Sequence, residues 1–215
     1  AAQGARPRLN DAQSQAVARI NASLGRYTSY LLHGVTGAGK TEVYLRSAAE
    51  AISRGGQVMV LVPEIALTPQ LVERFQHGLT GKLVVLHSGL GSRQRHRAWW
   101  AARQGAADVV LGPRSAVFTP LERPALIIVD EEHDASYKQQ DGFRYNARDI
   151  AVKRAQQEKI PVLLGSATPA LETVENTRRG RYRLLVLPQR AGGSAMPRGH
   201  LVALKSVPAH NGLSA

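Results

Sequence analysis

The 215-residue sequence contains no cysteine. Disulfide bonds and thiolate zinc sites are therefore excluded within this chain, and a reducing cell interior suits it. Its longest apolar stretches are well short of the ~20 residues that a membrane-spanning helix needs. The N-terminus also lacks the apolar core of a signal peptide. We therefore expect no membrane partner and a cytoplasmic location.

Acidic residues are scarce relative to basic ones. The chain has 28 Lys plus Arg against 16 Asp plus Glu, which gives a formal net charge of +12 and a sequence pI near 10.7. Such a balance is expected of a surface that meets a polyanion, and nucleic acid is the first candidate. On composition alone, a protein that is simply soluble and basic, or one that touches anionic lipid, remains an alternative.

The chain has no internal repeat, but short apolar runs alternate with helix-length segments. Most of the runs carry no polar residue, so we expect strands that are covered on both faces and joined by right-handed crossovers. The predicted strands are 30–34, 58–63, 83–87, 108–112, 125–130, 161–165 and 183–187. The predicted helices are one capped by Asn10 and ended near Gly25, 40–53, one opened by Thr68 and Pro69, 93–104, 147–158 and 169–178. This order predicts a three-layer α/β domain with a central, mainly parallel sheet.

The composition changes after Leu187, where the chain becomes rich in Gly, Pro and Arg. The run LVALK, residues 201–205, is the only later segment with strand character. We expect residues 1–8 to be a disordered lead-in, 9–190 to be one folded domain, and 191–215 to be a connection toward a second domain.

The strand at 30–34 runs directly into GVTGAGKT, residues 34–41, which matches the phosphate-binding pattern G-x-x-x-x-G-K-[ST]. Glycines suit this loop because backbone N–H groups can then converge on phosphate oxygens, while the following helix points its positive end at them. We predict that Lys40 bridges the β- and γ-phosphates of ATP and that Thr41 binds Mg²⁺. The cradle would consist of Gly34, Thr36, Gly37, Ala38, Gly39, Lys40 and Thr41. The structural alternative is an ordinary Gly-rich turn.

The apolar run 125–129 delivers the acidic sequence Asp130-Glu131-Glu132-His133 at a strand end, where ligands of parallel sheets bind. We predict that Asp130 holds Mg²⁺ through its water shell and that Glu131 orients and deprotonates the attacking water. We expect the loop ending in Lys40 and the carboxylates beginning at Asp130 to meet around one Mg²⁺-bound triphosphate at the same edge of one sheet. A solvated acidic loop is the alternative. His133 either links hydrolysis to nucleic acid or forms a hydrogen bond within the loop.

Six sequence blocks stand in order along the chain: GVTGAGKTEVYL, LVPEIALTPQ, VLHSGL, GPRSAVF, DEEHDASYKQQDGFRYNARDIA and LGSATPALET. Together they closely resemble the motor core of the bacterial replication-restart DNA helicases, a family of helicase superfamily two with a DEAH-type acidic motif. The resemblance covers nearly the whole chain from about Leu9.

This resemblance implies a RecA-like first lobe that couples ATP hydrolysis to 3′→5′ translocation on forked DNA, to its unwinding and to primosome assembly. It implies single-stranded and forked DNA, single-stranded-DNA-binding protein and primosome proteins as partners of a monomer. In such helicases a second lobe supplies arginine fingers, each typically worth about 10³–10⁵ in rate. We therefore expect the first lobe alone to be nearly inactive.

The resemblance also assigns residues outside the phosphate loop. Gln13 would read the adenine edge, and a capping box with Asn10 is an equal alternative. Segments 63–68 and 112–118 would follow one DNA strand, with Thr68, Arg114 and Ser115 near its phosphates. Residues 165–168 would tie hydrolysis to strand movement through the hydroxyls of Ser166 and Thr168. Thr168 is also placed to cap the helix that we predict from Pro169.

Residues 136–148 resemble the aromatic-rich loop that couples DNA binding to the ATP site in related helicases. Aromatic rings stacked on bases contribute about 1–3 kcal/mol each, and neighbouring cations hold phosphates. The alternative is that the aromatic rings pack beneath the loop as a local core. The residues concerned are Tyr137, Lys138, Phe143, Arg144, Tyr145 and Arg148.

Three residues depart from the family pattern: Ala38 replaces a frequent Ser, Pro113 a usual Thr and Phe143 a common Trp. Pro113 lacks a backbone N–H, which removes one possible phosphate contact. Two other functions remain as hypotheses. One is a P-loop ATPase that remodels something other than DNA, and the other is a scaffold that binds nucleotide without hydrolysing it.

Overall fold

The structure is a computed structural model that describes residues 7–190 and, beyond them, the pairs 209–210 and 213–214. Most of the predicted lead-in and connection, including the predicted strand at 201–205, lies outside the described residues. The predicted domain boundaries therefore stay predictions.

Seven strands form one sheet in which every neighbouring pair is parallel. The strands of the chain up to residue 190 are β1 (Thr28–Gly34), β2 (Gln57–Leu61), β3 (Leu83–Val85), β4 (Val109–Gly112), β5 (Pro124–Val129), β6 (Lys138–Gln139), β7 (Tyr145–Asn146), β8 (Pro161–Ser166) and β9 (Arg183–Leu187). The sheet has the order β3-β4-β2-β5-β8-β1-β9. The fold class predicted from the sequence is confirmed, because all seven predicted strands belong to this sheet.

Two short antiparallel pairs lie outside the sheet. Strands β6 and β7 close the loop between the acidic motif and the next helix into a small hairpin. Strands β10 (Ala209–His210) and β11 (Leu213–Ser214) form the second pair, which the sequence did not predict.

Residues 7–190 contain six α-helices, of which the first precedes β1 and the other five lie between strands, and short 3₁₀ turns cover 64–66, 114–118 and 135–137. The helices are α1 (Asp11–Asn21), α2 (Lys40–Ser53), α3 (Pro69–Gly78), α4 (Ser92–Arg103), α5 (Ala147–Glu158) and α6 (Leu171–Arg178). Asn10 and Gln13 form a reciprocal capping box at α1, as predicted. Thr68 caps α3 through the Leu71 N–H, and Pro69 is its first residue. No helix among the described residues is long and apolar enough to cross a bilayer.

Apolar side chains fill both faces of the sheet. On one face α1, α2 and α3 cover a cluster around Tyr30, Tyr44 and Phe75. On the other face α4 and α5 cover a cluster around Met59, Ile127 and Tyr137. Because helices cover both faces of the sheet, β2 has no exposed residue. Strands buried in this way carry nearly continuous apolar runs.

Because all seven strands point the same way, the predicted motifs lie together at one edge of the sheet. The phosphate loop follows β1, the acidic motif follows β5, and residues 165–168 lie at the end of β8 between them. Segments 63–68 and 112–118 follow β2 and β4 on the other side of β5.

Candidate active site

The phosphate loop owes its shape to glycine. Gly37 and Gly39 both have φ of +79°, a conformation that other residues rarely adopt. A side chain at Gly34 would be tightly packed, since a Cβ there would lie 3.0 Å from Cβ of Leu187 on β9. The loop then enters α2 directly at Lys40.

Lys40 joins the phosphate loop to the acidic motif. Its Nζ donates to the Gly34 carbonyl at 3.2 Å and lies 3.5 Å from Oε1 of Glu131. The Lys40 side chain is almost wholly buried and that of Glu131 is 35% exposed, so the ion pair is partly shielded from water. The sequence-based expectation that these two motifs meet at one edge of one sheet is confirmed.

Backbone hydrogen bonds hold the acidic motif between its two neighbouring strands. The Asp130 N–H donates to the Leu61 carbonyl of β2, and the Glu132 N–H donates to the Gly165 carbonyl of β8. Glu131, between them, has φ of +43°, which is uncommon for a residue with a side chain. Such strained backbone often marks a functional position, and here it directs the carboxylate toward Lys40.

Two buried tyrosines hold Asp130. The Tyr44 hydroxyl donates to Oδ1 of Asp130 at 2.8 Å, and the Tyr137 hydroxyl donates to its backbone carbonyl at 2.6 Å. Burial is the main cause that raises the pKa of the Asp130 carboxyl, and the hydrogen bond from Tyr44 opposes it. Burial also raises the pKa of both tyrosines, which keeps their hydroxyls protonated and able to donate.

The sequence analysis missed Tyr44. The signal was available, since Tyr44 stands four residues after Lys40 on the same helix and therefore on the same face. The sequence analysis also placed Tyr137 among the aromatic residues that stack on DNA bases, and the structure corrects this prediction. Tyr137 is only 1% exposed because its ring belongs to the apolar cluster beneath α5.

His133 lies between the acidic motif and the end of β8. Its Nδ1 is 2.8 Å from Oγ of Ser166 and 3.6 Å from Oε2 of Glu131, and its Nε2 is 3.2 Å from Oγ1 of Thr168. The predicted approach of the two hydroxyls to the acidic motif is therefore present. A continuous polar path runs from Lys40 through Glu131 and His133 to residues 166–168.

Glu132 is a second residue that the sequence analysis passed over. Its side chain is buried and accepts hydrogen bonds from Thr173 Oγ1 and the Ala170 N–H, both at 2.8 Å, and from Arg148 Nη1 at 3.3 Å. It thereby joins the acidic motif to α5 and to the start of α6.

Two further expectations near Glu132 are wrong. Arg148 was placed among the cations that hold phosphates, but it is buried and its guanidinium pairs with Glu132 and with Asp149 at 2.9 Å. Thr168 does not cap α6. That helix begins at Leu171, because the Ala170 N–H before it donates to Glu132 instead. The Thr168 N–H donates to Oγ of Ser166.

Gln13 uses both ends of its amide within the protein. Its Oε1 accepts from the Asn10 N–H at 3.0 Å, and its Nε2 donates to the Ala38 carbonyl in the phosphate loop at 2.9 Å. The capping box is confirmed. The predicted contact with adenine stays a prediction, and Gln13 keeps one N–H and one acceptor lone pair that these two bonds do not use.

The residues assigned to DNA fall into two groups. Arg114 is tied to the protein, since its Nη1 donates to the carbonyls of Ser136 and Lys138 at 3.1 Å each and its guanidinium lies 5.9 Å from the Tyr145 ring centre. Phe143 is different, with 77% of its surface exposed at the tip of the hairpin. Exposed side chains that face solvent near it or on the neighbouring loops are Thr68, Ser115, Lys138 and Arg144.

The donor set fits a magnesium-bound triphosphate. The glycine loop precedes the positive end of α2, Lys40 offers a cation, and Thr41 and Asp130 offer the oxygen ligands that Mg²⁺ prefers. No group of three or more His, Asp or Glu side chains in the described part of the chain converges as an all-protein metal site would. Mg²⁺ usually binds through one or two protein oxygens together with substrate phosphates and water, which matches this arrangement.

An all-parallel sheet with a phosphate loop after β1 and an acidic motif after β5, separated by one strand, defines a RecA-like P-loop nucleotide-binding domain. The family model of the DEAD/DEAH box helicases matches residues 10–177. The chain belongs to that family.

Curated relatives support a narrower placement. The chain is 48% identical over 206 residues to replication restart protein PriA of Haemophilus influenzae and 43% identical over 199 residues to that of Bacillus subtilis. These matches cover 96% and 92% of this chain but only 28% and 25% of the relatives. The chain therefore spans about a quarter of their length.

Solved structures agree on the fold. The helicase domain of Hef from Pyrococcus furiosus matches with a TM-score of 0.61 and 19% identity, covering 87% of this chain and 39% of that one. A RecG structure bound to a three-way DNA junction matches with a TM-score of 0.58 and 20% identity, covering 91% and 25%. At these identities the likeness shows the architecture alone.

Proposed function

We propose that this chain is the ATP-binding motor lobe of a replication-restart DNA helicase. The whole protein would couple ATP hydrolysis to 3′→5′ translocation on forked DNA, to its unwinding and to primosome assembly. The observation that carries the proposal is the 3.5 Å ion pair between Lys40 and Glu131, which brings the phosphate loop and the acidic motif into one site. The similarity to the PriA relatives over more than nine-tenths of this chain supports the restart assignment.

ATP supplies the phosphoryl group, and Mg²⁺ neutralises its charge and orients it when bound. The glycine loop would receive the phosphates, Lys40 would turn from Glu131 to the β- and γ-oxygens, and Thr41 with Asp130 would hold the cation. Losing Lys40 as its partner frees the Glu131 carboxylate to accept a proton from an attacking water. Phosphoryl transfer depends mostly on such positioning and charge neutralisation.

His133 supports coupling between this site and DNA. It lies within hydrogen-bonding distance of Ser166 and Thr168 and close to Glu131. Movement of Glu131 would therefore change the contacts of His133 at the end of β8. On the other side of β5, Arg114 ties the loop after β4 to the hairpin that carries Phe143. We assign Thr68, Ser115, Lys138, Phe143 and Arg144 to contact with a single DNA strand.

The wider assignments rest on the same family similarity. A second lobe would supply arginine fingers, so we expect this chain alone to bind Mg-ATP weakly and hydrolyse it very slowly. The partners would be single-stranded-DNA-binding protein and primosome proteins, and the motor would act as a monomer in the cytoplasm.

Nucleotide binding tests the site without a second lobe. The wild-type chain should bind a fluorescent ADP analogue detectably, with and without Mg²⁺, and Lys40→Ala should not bind it. Lys82→Ala is the matched control, because Lys82 is exposed and lies before β3, remote from the phosphate loop. Equal affinity of Lys40→Ala and wild type would remove the basis for the proposed site.

DNA binding separates the helicase from a P-loop ATPase that remodels other partners. Affinity for a fluorescent single strand should fall with added salt, since neutralised phosphates release counterions. Phe143→Ala should weaken it by about 1–3 kcal/mol if a base stacks on that ring. A second variant is Arg144→Ala, which removes one positive charge from the hairpin. Its control is Arg26→Ala, because Arg26 is also exposed but is remote from the hairpin. A chain with no salt-sensitive affinity for DNA would favour the remodelling ATPase.

A further inference from the structure

Helix α4 is strongly basic. Its twelve residues include four arginines and one histidine and no aspartate or glutamate. At 100° per residue, five of its side chains project within an arc of about 120° on the side away from the core. We call this surface the α4 arginine face, and it consists of Arg93, His96, Arg97, Trp100 and Arg103.

The cations on this face lack acidic partners. None of Arg93, Arg97 and Arg103 forms an ion pair with any residue between 7 and 190. All three are exposed. Some surface arginines elsewhere in the domain have carboxylate partners, such as Arg178 and Arg179 with Glu175. An unneutralised cluster of this kind raises the local concentration of anions.

Trp100 is fixed at the centre of this face. Its Nε1 donates to Nε2 of His96, and the Arg103 guanidinium lies 5.1 Å from its ring centre. Its ring is 37% exposed, although large apolar side chains are normally buried. Arrangements of tryptophan with arginine are frequent where a protein surface meets a partner.

The location of the face excludes a role at the triphosphate. Helix α4 packs against β3, at one end of the strand order, whereas the phosphate loop follows β1, five strands away. At about 4.8 Å per strand the separation is roughly 24 Å. The inner side of α4 borders a cleft of about 400 Å³, in which Arg95 and Trp99 face Ser115 and Phe118. Helix α4 therefore has on its inner side a cleft shared with the segment assigned above to single-stranded DNA, and on its outer side the α4 arginine face.

We propose that the α4 arginine face binds the phosphate backbone of duplex DNA next to the tracked single strand. Arg93, Arg97 and Arg103 extend over roughly 15 Å of helix. Duplex DNA places one phosphate per 3.4 Å of its axis on each strand, so this length faces about four base pairs. The inference rests on the proposed function only in taking DNA as the partner.

Shape favours a duplex over a single strand as the occupant. Sites for single strands combine a groove with several aromatic rings on which successive bases stack. The α4 arginine face is the convex surface of one helix, with one exposed ring and three arginines. Such a surface fits a regular phosphate backbone. We expect the contact to be independent of sequence and sensitive to salt.

The test is the salt dependence of binding to a 20-bp duplex and to a dT20 single strand, measured by fluorescence anisotropy on the whole chain. The variant Arg93→Gln/Arg97→Gln/Arg103→Gln should bind the duplex more weakly. It should also reduce the slope of log K against log[salt] by about 2.7, because each lost phosphate contact accounts for about 0.9. The affinity for dT20 should change much less.

The matched control is Arg19→Gln/Arg26→Gln/Arg183→Gln, which removes the same charge. These three arginines are exposed on or near α1 and β9, at the opposite end of the strand order, and form no ion pair within residues 7–190. The control should keep the wild-type slope on both DNAs. Equal slopes for the two triple variants, or an equal loss on dT20, would overturn the duplex assignment while leaving the motor intact.

Two other outcomes also decide the matter. If the α4 variant loses affinity for polyglutamate but keeps its duplex affinity, the face binds acidic protein and our inference is wrong. If the wild-type chain shows no salt-sensitive affinity for either DNA, the proposed DNA motor fails together with this inference.

Discussion

The hydroxyl of Tyr44 on α2 donates a hydrogen bond of 2.8 Å to Oδ1 of Asp130 at the end of β5. The ring of Tyr44 is buried, and its hydroxyl lies so close to Gly165 of β8 that a Cβ at that position would overlap it. One side chain therefore joins the helix behind the phosphate loop to the strand end that we assign to Mg²⁺ and to the strand between them. Four predictions follow from this region, each with a matched control.

Tyr44→Phe should raise the Mg²⁺ concentration that nucleotide binding requires. Without the hydroxyl, the Asp130 carboxylate must be ordered when the cation binds, and hydrogen bonds to charged groups contribute about 1.5–3 kcal/mol. We expect the Mg²⁺ concentration for half-maximal binding of fluorescent ADP to rise roughly tenfold, which corresponds to about 1.4 kcal/mol. Binding without Mg²⁺ should not change.

Tyr30→Phe is the control for this prediction. Tyr30 is equally buried, and its hydroxyl donates to the Arg19 carbonyl at 2.9 Å, far from the acidic motif. Tyr30→Phe should lose about 1 kcal/mol of stability, the usual contribution of one neutral hydrogen bond, and should keep the wild-type Mg²⁺ requirement. A Mg²⁺ requirement that rises equally in both variants would show that Tyr44 acts through stability alone.

Gly165→Ala should destabilise the fold by about 1–3 kcal/mol, the usual cost of overpacking a core. The added methyl group displaces the Tyr44 hydroxyl, so the loss should shrink when Tyr44→Phe is already present. Urea denaturation of the four chains of this double-mutant cycle measures the coupling. Gly91→Ala, whose methyl group would meet nothing closer than 3.9 Å, should cost much less. Strictly additive losses at Gly165 and Tyr44 would contradict the contact.

Asp130→Asn should stabilise the nucleotide-free protein at pH 8. Burial raises the pKa of Asp130 in the folded state, so the folded protein binds this proton more tightly than the unfolded chain does. Its contribution to stability is therefore fully present below the unfolded pKa and is lost as pH rises through the folded pKa. The asparagine amide does not ionise, so Asp130→Asn does not lose stability in this way. The difference in urea midpoint between Asp130→Asn and wild type should therefore become smaller as pH falls.

The same substitution removes the proposed Mg²⁺ ligand, so stability and nucleotide binding should change in opposite directions. Exposed Asp141→Asn is the control and should leave both quantities unchanged. If Asp130→Asn is less stable than wild type at pH 8, the claim that burying this charged carboxylate destabilises the folded protein is wrong.

Local patterns predicted most of the sheet and the meeting of the two nucleotide motifs. Continuous apolar runs mark strands buried on both faces, and in a parallel sheet their following loops share one edge. The prediction of the helix at 147–158 was also correct, because Asn146 caps it and Lys159 ends it in a left-handed conformation.

Burial of individual polar and aromatic residues was not predictable from these patterns. Tyr137, Arg148 and Phe143 fall within one short segment of mixed aromatic and basic character, yet only Phe143 faces solvent. The hairpin of β6 and β7 decides which side chains turn inward, and pairing of that kind depends on contacts distant in sequence. The start of α6 was missed for the same reason, since Glu132 holds the N–H that precedes it.

Glu132→Ala should be among the most destabilising substitutions in the domain. It leaves the Thr173 hydroxyl and the Ala170 N–H without an acceptor and takes one partner from the buried guanidinium of Arg148. Breaking a buried ion pair from one side usually costs about 3–5 kcal/mol. Urea denaturation should show this loss, whereas exposed Glu122→Ala should stay within about 0.5 kcal/mol of wild type. Because Glu132 and Arg148 share one ion pair, the double variant Glu132→Ala/Arg148→Ala should lose less than the sum of the single losses. A stable Glu132→Ala protein would mean that α5 and α6 hold their places without this carboxylate.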